Sequence, residues 1–165
     1  MNKNKKNKID GIIDIIGKIS GLLIFVLIFL IFTSVILRYF FSIGFTWLQD
    51  LYIWTHAIII LLGISYTLKQ NEHVRIDLIY RNASVKYKKI INLFGLIFFG
   101  LPFCYIILNN GLSYFLRSYL LNETSKEIGG LSNLFILKFF IFFMGITVFF
   151  QVLNLIFKIF KDKKW

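Results

Sequence analysis

Residues 19–37 read ISGLLIFVLIFLIFTSVIL, a run from Ile19 to Leu37 without one charged side chain. A helix rises ~1.5 Å per residue, so this run covers ~28 Å, about the hydrocarbon thickness of a bilayer. A soluble helix of that length shows a polar face on every turn. Here the only polar side chains are Ser20, Thr33 and Ser34. The stretch therefore reads as a transmembrane helix, and it sets the class for the whole chain.

Working outward, three more such runs appear: Leu51 to Leu68, Ile90 to Leu116, and Phe139 to Phe157. The last extends back to Leu131 if Lys138 is admitted. The expected fold is an all-α integral membrane protein with four transmembrane helices. The spans fall at about 19–37, 51–68, 90–114 and 134–157 within a single four-helix membrane domain over 1–165. The composition agrees: 58% of the 165 residues are hydrophobic and 16% are charged. Soluble domains average about 45–50% and about 25%. A disordered tail is excluded by the hydrophobicity. A disulfide scaffold, an internal sulfur-ligated cluster and a CxxC zinc site are excluded by the single Cys104.

Charge orients the spans. The N-terminal segment carries Lys3, Lys5, Lys6, Lys8 and Lys18. The loop after the second run carries Lys69, Arg75, Arg81, Lys86, Lys88 and Lys89, and the tail carries Lys158, Lys161, Lys163 and Lys164. The alternate side holds only Arg38, Arg117, Lys126 and Lys138. Positively charged loops stay in the cytoplasm, so both termini are expected there. The net charge of +11 is then lipid contact and topology, not a nucleic-acid footprint. The Lys-rich start resembles a secretory signal, but its apolar run is too long and no small-x-small cleavage site follows. It reads as an uncleaved first span.

Ile9–Lys18 allows two readings. Asp10, Asp14, Gly17 and Lys18 share one helical face and the isoleucines the other, which suits an amphipathic lead-in lying on the membrane. Alternatively, the first span is one long tilted helix starting near Asp10. Ser84 is placed to cap the third helix. Pro102 should kink it, and Gly95 and Gly100 should permit close helix approach. Gly17 and Gly21 form a weak packing motif, and Gly129-Gly130 breaks the chain before the fourth span.

The spans carry little chemistry. None of the eight carboxylates lies mid-span, which weakens a proton-coupled stand-alone exporter. His56 lies within the second span. A bis-His haem would need His73, ~25 Å further along a continuous helix, so one helix cannot supply both ligands. His56 is instead expected to hydrogen-bond a neighbouring helix or a partner subunit. Lys138 either snorkels to the headgroups or pairs with an acid on a partner, and snorkelling is the expectation. Gln151, Asn92, Asn109 and Asn110 read as inter-helix packing groups. No metal site and no cofactor are expected.

Three stretches carry a family likeness. They are VILRYFF followed by Trp47 and Asp50; GISYTLKQNEHVRIDLIY, from Gly63 to Tyr80; and NETSKEIGGL, followed by Lys138 and a last span containing Gln151. With them the chain resembles the small membrane subunit of tripartite ATP-independent periplasmic (TRAP) transporters, the DctQ type. Within that family, Trp47-Leu-Gln-Asp50, His56 and the Glu-x-Gly-Gly loop look like the branch labelled for mannitol or chloroaromatic compounds. The resemblance implies a non-catalytic, multi-pass subunit of the bacterial inner membrane. Its implied partners are a large membrane subunit, which imports an organic acid on a sodium gradient, and a periplasmic substrate-binding protein. Arg38, Asp50, Glu72, His73, Arg75 and Asp77 match the family's motif positions and are assigned to loop structure and subunit contact, together with His56, Gly129, Gly130 and Lys138. Two other classes compete: a membrane anchor of a redox enzyme, and a small stand-alone four-helix exporter.

Overall fold

A computed structural model describes residues 8–70 and 84–161. The described residues are helical apart from their connections. Helix α1 spans Lys8–Phe40, α2 Thr46–Gln70, α3 Val85–Leu120 and α4 Phe135–Lys161. All four are long and apolar enough to cross a membrane. Each runs beyond the uncharged stretch within it, because a helix crossing a bilayer continues into the headgroup region until a turn signal stops it.

Helix α1 is unbroken from Lys8, as the long-helix reading of Ile9–Lys18 expects. Its first turns do not have the face a surface-lying segment would need. Asp10 and Ile13 are buried together, while Ile12, Ile15 and Ile19 are exposed. The side carrying Asp10, Asp14 and Gly17 packs inward, because ionic partners await it there.

The main packing follows the order α1–α2–α4–α3: α4 packs on both α2 and α3, and α1 packs on α2 and more lightly on α4. The core follows from this order. Cys104 of α3 packs with Met144, Val148 and Val152 of α4, flanked by Leu61, Ile64 and Leu68 of α2. Away from this core and from a few buried side chains such as Ile13 and Leu48, much apolar surface points outward: on α1, Phe25, Phe29 and Phe32 are all well over half exposed. Lipid tails are as apolar as these side chains, so such faces do not drive helix association.

Small residues set the close approaches: of the expected glycines Gly17 is one such point, and Gly111 and Gly145 are two more. A Cβ on Gly111 would lie 3.3 Å from the Phe142 backbone, and one on Gly145 would lie 2.9 Å from Ile107. This pair lets α3 and α4 touch. Gly95 and Gly21 face open space, Gly100 meets only Val152 at 3.5 Å, and Gly17 lies against the Tyr66 ring. Ser20 Oγ donates to the Ile59 carbonyl at 2.9 Å and links α1 to α2.

Ser84 caps α3, its hydroxyl accepting from the Tyr87 N–H at 3.3 Å. Within α3, Leu96–Gly100 forms a π-turn. The Leu101 N–H donates to the Leu96 carbonyl, five residues back. Pro102 follows at once; it has no N–H to donate, and its ring crowds the carbonyl four residues before it. The widened turn accommodates that ring within a continuing helix.

Candidate functional site

Polar side chains gather at the two ends of the bundle. At one end, Asp10 of α1 is buried and pairs with Lys158 of α4 at 2.8 Å. Asn154 Nδ2 also donates to Asp10 Oδ1 at 2.9 Å. Lys69 of α2 pairs with Asp14 and donates to the Asp10 main-chain carbonyl at 3.0 Å. Below them Asn154 donates to Gln151 Oε1 at 3.3 Å, and both side chains are buried. One network thus joins the start of α1 to the ends of α2 and α4. It rests on local sequence: Gln151, Asn154 and Lys158 recur at the spacing of one helix face, and Asp10 sits in a first turn, where the helix dipole favours an anion. It also places the N-terminal end of α1 and the C-terminal ends of α2 and α4 together.

At the opposite end, Asp50 near the start of α2 is buried and accepts from the Leu131 N–H at 2.9 Å. Gly130 makes this possible, because a Cβ there would collide with Asp50 Oδ2 and Ser125. Gly129 takes a left-handed φ of 75°. Ser125 N–H donates to the Leu131 carbonyl at 2.8 Å, and Leu134 N–H to the Glu123 carbonyl at 2.9 Å. These bonds close the 121–134 connection on itself.

Lys138 lies beside this loop. It neither snorkels outward nor waits for an acid on another chain: it is buried, pairs with Glu123, and sits 3.8 Å above the Tyr114 ring. Glu123 lies one short connection before Lys138, so the acid is local and the lysine need not reach for headgroups. The hydrogen bond from Lys138 holds the Glu123 carboxyl below its ordinary value of 4.5.

The structure therefore brings together Asp50, Gly129, Gly130 and Lys138 of the expected set. Arg38 is at the same end but apart from them, exposed in the last turn of α1. His56 is exposed on α2, so it projects from the chain and does not join its own helices. Glu72, His73, Arg75 and Asp77 lie outside the described residues. Asn109 and Asn110 are exposed and not inter-helix groups within this chain, whereas Gln151 is fully buried.

Sequence reasoning missed Asp10, Asp14, Lys69, Asn154 and Lys158 as one cluster. The available signal was the pairing of two acids on one face of α1 with lysines ending two other helices. Among the described residues no three His, Cys, Asp or Glu side chains gather as a metal would require. What the two ends can do is bind helices to one another: Asp10 and Lys138 each meet an opposite charge, and Asp50 accepts a backbone N–H.

No curated protein matches the chain. The family model for tripartite ATP-independent periplasmic transporters, DctQ component, matches residues 11–162. That reaches into all four helices and takes in every residue of the two polar clusters except Asp10, and on this match the chain belongs to the DctQ family, the small membrane component of TRAP transporters.

Proposed function

We propose that this chain is a non-catalytic scaffold, holding the large membrane subunit of a TRAP transporter in a fixed pose in the bilayer. The observation that supports this best is the contrast between ends and flanks. Both ends of the helix bundle are tied by buried ion pairs and loop hydrogen bonds. The flanks of α1 and α3 leave broad apolar surface uncovered within the chain. A rigid slab with apolar sides suits a frame against which a larger membrane protein moves.

In this reading residues 1–165 form a single four-helix domain of the bacterial inner membrane, with both termini cytoplasmic. The Asp10–Lys158 end then faces the cytoplasm and the Asp50–Leu131 end the periplasm. The side with the lysine-rich segments supports that orientation. The partners are the large subunit and a periplasmic binding protein, and the cargo is an organic acid driven by sodium. The mannitol or chloroaromatic branch is the sub-family reading that Trp47, Asp50 and His56 support. His56, Glu72, His73, Arg75 and Asp77 are assigned to contact with other subunits or to loop structure.

The test is reconstitution. The large subunit with this chain should take up substrate on a sodium gradient in the presence of the binding protein, and this chain alone should not. Uptake by the chain alone in liposomes would overturn the reading.

A further inference from the structure

Between the outer end of α1 and the start of α2 lies a groove of about 470 Å³. We propose that it holds the phosphodiester headgroup of a membrane phospholipid, with Arg38 as the anion-binding side chain. The inference rests on the helices crossing a bilayer and not on the scaffold role.

Among the described residues, Arg38 is the only charged one lining the groove. Among the described residues it has no acid to pair with, unlike Lys69, Lys138 and Lys158, which all do. The other polar lining is uncharged: Ser34, Ser42, Thr46, Gln49 and Tyr52. A guanidinium fork matches phosphate oxygens two at a time. Hydroxyl and amide donors around it suit a group with several acceptor oxygens. A single carboxylate would leave much of that lining unused.

Depth selects the source of the phosphate. Arg38 directly follows the uncharged run of α1, which puts its head at the level of lipid phosphates. Phe45 and Trp47 pack together beside the groove at 5.7 Å between ring centres, and Trp prefers that same interfacial depth. Below Ser34, the exposed Ile31 continues the α1 surface toward the membrane interior. Acyl chains can lie along it, and a free phosphate has no use for it. The 41–45 turn shapes the groove mouth: Ser42 takes a left-handed φ of 55° and Ile43 N–H donates to the Leu37 carbonyl at 3.0 Å.

The experiment is native mass spectrometry of the complex with its large subunit, purified in mild detergent with phosphatidylglycerol. Wild type should retain a bound phospholipid that Arg38→Gln loses, while Arg38→Lys retains part and Lys126→Gln retains all of it. Diacylglycerol of the same chain length should not replace it, and inorganic phosphate should not displace it. Ser34→Ala with Tyr52→Phe, which leaves Arg38 in place, should lower retention in the same direction should Arg38→Gln fail to fold. Equal retention in wild type and the variants overturns the proposal. So does displacement by inorganic phosphate, which would mark a soluble-anion site. Loss of the large subunit from Arg38→Gln with lipid retained also overturns it, in favour of a protein carboxylate as the Arg38 partner.

Discussion

The Asp10 carboxylate and the Lys158 ammonium meet at 2.8 Å across 148 positions of sequence. Asp10 also takes the Asn154 amide, and its backbone carbonyl takes Lys69. One residue in the first turn of α1 therefore pins the ends of α2 and α4. Lipid offers no hydrophobic force between helices, so such polar ties help decide which helices meet.

Removing that anion should loosen the whole end. Asp10→Ala takes the carboxylate from the Lys158 ammonium and one of the acceptors from the Asn154 amide, a loss of about 1–3 kcal/mol. Thermal unfolding in detergent should fall accordingly. Asp10→Lys with Lys158→Asp should recover part of the loss, measured as coupling in a double-mutant cycle. A cycle showing no coupling would contradict the pairing.

At the other end, Gly130→Ala should destabilise by about 1–3 kcal/mol, because overpacking must push Asp50 or Ser125 aside. Gly21→Ala and Gly95→Ala meet nothing within 4 Å and should be neutral or slightly stabilising, since alanine favours helix. Melting the three variants side by side checks the contrast. Equal destabilisation would mean Gly130 is not a contact point.

The Glu123–Lys138 pair makes the 121–134 connection sensitive to acid. The folded carboxyl lies below its ordinary value of 4.5, so it binds fewer protons folded than unfolded. Its stabilising effect is present above that value and is lost as pH falls through the folded pKa. Glu123→Gln should remove this dependence while leaving behaviour near neutrality shifted by a constant amount. Unfolding midpoints measured from neutral to acid pH check it, and parallel curves for both proteins would refute it.

His56 is exposed on α2. His56→Ala should therefore change the melting of the isolated chain by no more than about 0.5 kcal/mol. It should weaken co-purification of the large subunit if that face is the contact. The purified chain should show no Soret band; a band lost in His56→Ala would favour a redox anchor instead.

Much of the molecule was legible in one dimension. The four helices follow from uninterrupted apolar runs, the Ser84 cap from its position before the third run, and the disturbance in α3 from Pro102. The motif residues Asp50, Gly129 and Gly130 were legible as a set, but their contact was not, because the Asp50–Leu131 bond spans 81 positions. Lys138 was misread because a lone lysine at a helix start can snorkel, pair outward or pair inward. Only the fold of the 121–134 connection presents Glu123 to it. The segment around Asp10 stayed open between two readings for a similar reason: an isoleucine face beside an acidic face looks amphipathic whether the acids meet water or lysines.

The sequence by itself determined that this is a four-helix membrane chain, since span length and lack of charge answer only to bilayer thickness. Through its motifs, it also determined the family. Only the tertiary structure decided the packing order α1–α2–α4–α3, the Gly111–Gly145 approach and the ion pairs that tie the two ends of the bundle. Those depend on which helix faces meet. Apolar faces that are equally content against lipid or protein carry no preference that a one-dimensional pattern could reveal.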